Sequence, residues 1–426
     1  MAPRPATTRR PPGTRSRSRQ ALVAGLVGSL ALLAAACSSG SSASPPSTSA
    51  PTTRAPATSS TTGSHGLPAV RHVFVIVLEN EDYANTFGSP SADPYLATTL
   101  PSEGALLTQY FGIGHFSNDN YIALISGQAP NPDNQGDCLH YVDFPPAATT
   151  EPSGQITGSG CVFPSDVPTV ASQLDAAHLT WKAYMEDMGN VPSRESAVCG
   201  HPVVGSPDGT QAAVPGDGYA TRHDPFVYFH SIIDDTALCD ARVVPLGTPT
   251  GQLPASVPAG TTGLATDLAS VATTPNLSFI TPNLCNDGHD APCTNQAGSA
   301  SSGTNVDAFL STWVPLITGS PAFRANGLLI ITFDEADATG PSVDASACCN
   351  EQPGPASAQP GVTGPGGGRT GTVLISPFIA PGTVSTVPYN HYSTLATIET
   401  LFGLSRLGQA ATTSATYGPD VFTRTH

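Results

Sequence analysis

HVFVIVLEN, residues 72–80, is an apolar, β-branched run of strand length that stops at a carboxylate and an amide, Glu79 and Asn80. A run of Val, Ile and Phe without polar alternation reads as a strand buried on both faces, as in a parallel sheet. A second run of the same kind, LLIITFDE (328–335), stops at Asp334 and Glu335. Ligands of open α/β sheets gather outside the carboxyl ends of the strands. If these two strands are neighbours, three carboxylates and an amide converge on one point, and four oxygen donors suit a hard divalent cation. Either pair alone is also what a strand shows on leaving the core for solvent.

Further strands are expected at 179–185, 277–281 and 372–376, and helices near 93–103, 118–126, 168–177, 262–272, 305–318 and 393–403. Strands alternating with helices predict an α/β fold with a largely parallel central sheet covered on both faces. The Gly/Pro/Ser-rich stretches 129–160, 190–216, 241–261 and 337–368 read as long insertions. The folded part runs from 67 to 426, long enough for one large domain.

Residues 1–36 read as an export signal, with six arginines and no acid before the apolar stretch ALVAGLVGSLALLAAA (21–36), which is short for a bilayer span. Residues 37–66 form a Ser/Pro/Thr-rich linker. LAAAC followed by SSGSS resembles a lipoprotein signal, in which Cys37 would carry the lipid; ordinary cleavage would instead release a secreted protein. Removing the six arginines of 1–36 moves the formal net charge from −16 to −22. Such a surface repels nucleic acid and anionic membranes, so no nucleic-acid partner is expected, and membrane contact is expected only through a lipid on Cys37. Apart from Cys37 there are eight cysteines, an even count that predicts disulfide-stapled insertions in an exported protein. Proximity favours Cys138–Cys161 and Cys199–Cys239.

GHFSNDNYIALISG (114–127) sets Ser117 just before an apolar run of helical character. Ser117 reads either as an N-cap or as a nucleophile facing a phosphate at the helix start, since both use the same geometry. A serine hydroxyl is a poor nucleophile without a base or a metal, and the strand-end carboxylates could hold the metal. His223, His289 and His391 each stand at the edge of an expected element, where an imidazole could bind phosphate oxygens or protonate a leaving group.

Six blocks, VIVLEN (75–80), GALLTQYFGIGHFSNDNYIALISG (104–127), YATRHDPFVYF (219–229), TPNLCNDGHD (281–290), LIITFDEAD (329–337) and HYSTLATIETLFGL (391–404), resemble in sequence and order the bacterial phosphoesterase family of secreted acid phosphatases and phospholipases C, within the alkaline phosphatase superfamily. The resemblance implies an alkaline-phosphatase-like fold over 67–426. It implies that Glu79, Asn80, Ser117, Asp334 and Glu335 hold one divalent metal ion, and that Ser117 is the nucleophile that becomes phosphorylated. His223 and His289 match active-site histidines; Asn120, Asp287 and His391 lie in matching motifs and are expected to meet substrate. The nucleophile segment departs from the family pattern H-P-S-x-P-N-Y, with Phe116 and Asp119 where prolines are usual.

The function implied is a metal-dependent acid phosphatase acting on phosphate monoesters, small phosphorylated molecules or a phosphoinositide-like lipid headgroup. The alternative is a phospholipase C-type phosphodiesterase, although those relatives usually carry additional C-terminal β-domains. A sulfatase would need C/S-x-P-x-R, but Ser117 is followed by NDNY. A serine hydrolase would need G-x-S-x-G, which the chain lacks. A binding protein on a degenerate phosphoesterase fold would have lost polar residues from some of the six blocks, and none has.

Overall fold

The computed structural model describes residues 66–295, 302–337, 343–412 and 415–424. The expected export signal and all but the end of the linker lie outside the described residues. Eight strands form one sheet: β1 (His72–Leu78), β2 (Ala105–Leu107), β3 (Trp181–Met185), β4 (Val243–Pro245), β5 (Leu277–Thr281), β6 (Gly327–Phe333), β7 (Thr372–Ile375) and β8 (Thr383–Ser385). Their spatial order is β8-β2-β7-β6-β1-β5-β3-β4. Adjacent strands are parallel except at the two pairings that β7 makes, with β6 and β2.

β1 and β6 are buried along their whole length, as their unbroken apolar runs require. Along β1, Val73, Val75 and Val77 pack into one core, and Phe74, Ile76 and Leu78 into the other. The first core takes helices α1 (Ser117–Ser126) and α3 (His391–Phe402) through residues such as Ile122 and Leu395. The second takes α2 (Ser302–Gly319) through Phe309, Leu310 and Trp313. Helices therefore cover both faces of a mainly parallel sheet, as expected.

β1 and β6 are immediate neighbours, registered Leu78 to Phe333, so Glu79–Asn80 and Asp334–Glu335 leave the sheet side by side. The Asp334 N–H still donates to the Leu78 carbonyl at 2.9 Å. The helix ends are built for placement as well. Asn390 caps α3 in a reciprocal pair with Ser393. Gly127 ends α1 at φ +68°, where a Cβ would stand 2.5 Å from the Leu407 carbonyl, so only glycine fits.

The three-residue strands β2, β4 and β8 are too short to show a period in sequence. The helix expected at 262–272 shrinks to Leu264–Asp267. Beyond it, Thr273 and Thr274 turn their hydroxyls onto the Asp267 carbonyl at 2.8 and 3.0 Å, a local bond that competes with helix continuation. The helix expected at 93–103 opens instead as a π turn, Tyr95–Thr99, whose first N–H donates to Asp307 Oδ1 at 2.7 Å.

All eight cysteines pair: Cys138–Cys161, Cys199–Cys239, Cys285–Cys293 and Cys348–Cys349. The first two are the pairs that proximity favoured. Three of the four expected insertions carry a half or a whole bridge, and the fourth, 241–261, begins just after Cys239. Among the described residues no helix is long and apolar enough to cross a membrane.

Candidate active site

Ser117 is the first residue of α1, one place inside the N-cap position, which Phe116 holds without a side-chain cap. Its hydroxyl is therefore not committed to the helix. It donates to Glu79 Oε2 at 2.8 Å, across the gap between the helix start and the end of β1. Phe116 sits at φ +81°, ψ 142°, a conformation that costs a non-glycine residue roughly 1–3 kcal/mol. Glu335 holds the turn in place: its Oε2 accepts the Phe116 N–H at 3.1 Å and pairs with His115 Nδ1. His115 Nε2 in turn reaches the Asp344 carbonyl at 2.9 Å. Local strain pinned by buried polar partners directly before the serine is a mark of a positioned side chain rather than of an ordinary cap.

Around Glu79 the structure gathers a cluster of donors. His223 Nε2 lies 3.4 Å from Glu79 Oε2, and His223 Nδ1 lies 3.3 Å from Asp287 Oδ2. One ligand atom each of Glu79, His223 and Asp287 lies within 4.8 Å of the other two. On the other side the Asn80 N–H donates to Asp334 Oδ1 at 3.1 Å, leaving Asn80 Oδ1 and Asp334 Oδ2 buried without a partner. Asp287 Oδ2 is likewise buried with no hydrogen bond. The Asp287 backbone carbonyl takes the Glu79 N–H at 2.9 Å, which fixes the loop after β5 against the end of β1.

Burial of so many acids has an electrostatic cost. Burial first, then the charges of Asp334 and Asp287, push the Glu79 carboxyl well up. Burial raises Asp334 to about 7. Burial and the Asp334 charge push Glu335 well up. Burial, with Arg222 and His289 nearby, keeps the His223 imidazole neutral by lowering its pKa. Orphaned buried oxygens, mutually repelling carboxyls and a neutral ring nitrogen are what a divalent cation would satisfy. The residues present therefore fit such an ion.

The remaining expected residues divide. His289 is partly exposed, at 31% of its side chain, with its ring 6.0 Å from that of His223. Asp287 belongs to the donor cluster rather than to a separate substrate contact. The polar side-chain atoms of Asn120 and His391 are all engaged by neighbouring groups of the protein. Asn120 Oδ1 accepts the N–H groups of Ile113 and Gly114, and its Nδ2 donates to the carbonyls of Gly114 and Phe116. His391 accepts from the Tyr110 hydroxyl at Nδ1, 3.0 Å away, and its Nε2–H donates to the Asp334 carbonyl, while burial lowers its pKa to about 4.

Several residues went unread in the sequence. Tyr121 stands four places after Ser117, on the same helix face. It donates its hydroxyl to Glu79 Oε1 and stacks on His223 at 5.1 Å with the rings 3° from parallel. Arg222, adjacent to His223, is buried and sets its Nη2 3.2 Å from His289 Nε2. The i to i+4 spacing could have found Tyr121; Arg222 precedes His223 in YATRHDPFVYF, but its direction is not readable without the fold.

The Phosphoesterase family profile matches residues 90–405, about three quarters of the chain and all of the site except Glu79 and Asn80. The chain belongs to the Phosphoesterase family. Similar relatives of this phosphoesterase include the phosphate-repressible acid phosphatase of Penicillium chrysogenum, 30% identical over 62% of this chain and 47% of the relative. Another is the phosphatidylinositol-3-phosphatase of Mycobacterium tuberculosis, 26% identical over 81% of each. The chain thus spans about half the length of the first and four fifths of the second. Among solved structures, a protein in the alkaline phosphatase superfamily from Vibrio parahaemolyticus is 12% identical, with a TM-score of 0.45 over 83% of this chain and 72% of that one.

In this phosphoesterase the Tyr121 hydroxyl is the nearest support of a candidate metal ligand. Tyr121→Phe keeps the stack on His223 and removes only the bond to Glu79. It is expected to weaken divalent-cation affinity about 10–100-fold, the usual cost of losing a group that orients a ligand. Titration of the chelated protein with Mg²⁺, Ca²⁺, Mn²⁺ and Zn²⁺ measures it; unchanged affinity for each would place Tyr121 outside the metal's support.

Proposed function

We propose that this chain is a metal-dependent acid phosphatase that hydrolyses phosphate monoesters through a phosphoserine on Ser117. The observation that carries the reading is the uncapped Ser117 hydroxyl held 2.8 Å from Glu79, at the edge of a buried cluster of cation-seeking donors. Glu79, Asn80, Asp334 and Glu335, with Ser117 itself, would hold the ion, and the geometry adds Asp287 and His223 as candidates. A divalent cation bound there would favour the serine alkoxide and offset charge on the phosphoryl oxygens.

The protein's own groups supply the rest. The rigid turn at Phe116 and the bond to Glu79 fix the direction of Ser117 Oγ, which is the proximity contribution. The hydroxyl proton leaves along the bond to Glu79 Oε2 as the Oγ–P bond forms and the bond from phosphorus to the leaving oxygen breaks. His289 Nε2 accepts from Arg222 in this structure, so His289 can give the departing alkoxide its proton only after Nε2 leaves Arg222 and is protonated. Water then attacks phosphorus and gives up a proton to the base that protonated the leaving group; the Oγ–P bond breaks, and Ser117 Oγ takes back the proton held on Glu79 Oε2 as inorganic phosphate leaves.

Small phosphorylated molecules and phosphoinositide-like headgroups are the substrate classes, the second supported by the name of the mycobacterial relative, which matches across most of both chains. The four disulfides support export, with Cys37 as a site for a lipid anchor. The test is hydrolysis of para-nitrophenyl phosphate against bis(para-nitrophenyl) phosphate, across acid to alkaline pH, with and without chelator. Turnover of the monoester, lost on chelation, is expected; turnover of the diester alone would move the assignment to the phospholipase C type.

A further inference from the structure

The start of α1 carries an anion already, and it is the protein's own. Asp137, from a turn 20 residues downstream, accepts the Asn118 N–H at Oδ1, 3.1 Å away, and the Ser117 N–H also supports its carboxylate. Its Oδ2 lies 3.8 Å from Arg222 Nε. That guanidinium is 2% exposed, and its Nε–H is buried without a hydrogen-bond partner although Nη1 and Nη2 are both engaged. A helix N-terminus and an arginine with an unused N–H make the donor set that grips a phosphate.

Asp137 is poorly explained as a plain cap. A capping side chain ordinarily comes from the residue just before the helix, whereas this one arrives on a separate turn. Asp137 and Cys138 both hold left-handed backbone, φ 52° and 51°, and Cys138 is tied to Cys161. Gln211 clamps the turn from the other side, donating to the Asp137 carbonyl at 2.9 Å. The Asp137 side chain nevertheless keeps 18% exposure, so it can swing out toward solvent while its backbone stays pinned.

We infer that Asp137 is a resident competitor in the phosphoryl-oxygen site: its carboxylate holds the Asn118 N–H and faces Arg222 until a substrate phosphate displaces it, and it returns to help expel inorganic phosphate. This rests on the reading of Ser117 as the phosphoryl acceptor. Arg222 is then the fixed cation of the site, and Asp137 tunes affinity for the anion without touching the bond that breaks.

The experiment is calorimetric titration of the metal-loaded full chain with inorganic phosphate, which needs no turnover. Asp137→Asn is expected to bind phosphate about tenfold tighter, the factor that follows if the free site is latched in roughly nine molecules of ten. Asp137→Glu, which keeps the charge, should stay near wild type, and Arg222→Gln should bind more weakly than wild type. Unchanged or weaker binding in Asp137→Asn would overturn the inference and leave Asp137 as a positioning residue for Arg222. Should that variant fail to fold, wild-type crystals soaked in phosphate decide: an oxygen of the anion on the Asn118 N–H with Asp137 turned out supports it, and Asp137 still on that N–H beside bound phosphate sinks it. Tighter phosphate binding in a protein that turns over no monoester would instead fault the phosphatase reading and leave the latch standing.

Discussion

Ser117→Ala is expected to lower kcat for a phosphate monoester by a factor on the order of 10⁴ or more, with the fold intact. Ser117 Oγ makes one hydrogen bond among the described contacts, to Glu79, and supplies no helix cap. Its removal therefore costs little stability, while the proposed acceptor of the phosphoryl group disappears. Because the N–H groups at the start of α1 and the Arg222 side chain remain, the variant should still bind inorganic phosphate. Loss of turnover with retained phosphate binding and an unchanged melting temperature is the expected set of results. Residual turnover within about tenfold of wild type would mean that a water, rather than the serine, attacks phosphorus.

Chelation is expected to destabilise the protein most at neutral pH. Glu79, Asp287, Asp334 and Glu335 are buried together, and each has its carboxyl pKa raised, chiefly by burial. A raised carboxyl pKa stabilises the cation-free fold below the unfolded value and withdraws that stability as pH rises through the folded value. For Asp334 this window runs from 3.8 to about 7. The chelated protein should accordingly melt at progressively lower temperature from about pH 4 to pH 7. A bound cation favours the ionised carboxylates and reverses the effect, contributing about 4 kcal/mol when free cation stands a thousandfold above its Kd. Thermal unfolding with and without chelator at several pH values checks this. A melting temperature at pH 7 that ignores chelator, with added cation giving no gain, would exclude a metal at the cluster.

The sheet and the edge that carries the candidate site were legible because their signals are local. Two unbroken apolar runs predict buried parallel strands, and their last residues must emerge at the same edge once the strands are paired. Ser117 was legible as a helix start, though its place one residue inside the cap depends on the strained φ of Phe116, which no pattern announces. What the sequence hides is direction. Asn120 and His391 lie in blocks that resemble the family's motifs, yet Asn120 turns to backbone, and His391 to the Tyr110 hydroxyl and the Asp334 carbonyl. Arg222 and Asp137, 85 residues apart, meet only because a disulfide-tied turn brings the acid onto the start of α1. His115 reaches Glu335 over 220 residues, and no spacing rule spans that gap.

The most direct test of a phosphoserine on Ser117 is acid quenching of the enzyme during turnover of a phosphate monoester, followed by mass spectrometry of the peptide that contains GHFSNDNYIALISG. A phosphoryl group on Ser117 that appears only with substrate and is absent from Ser117→Ala is expected. Steady monoester turnover with that peptide unmodified at every quench time would contradict it.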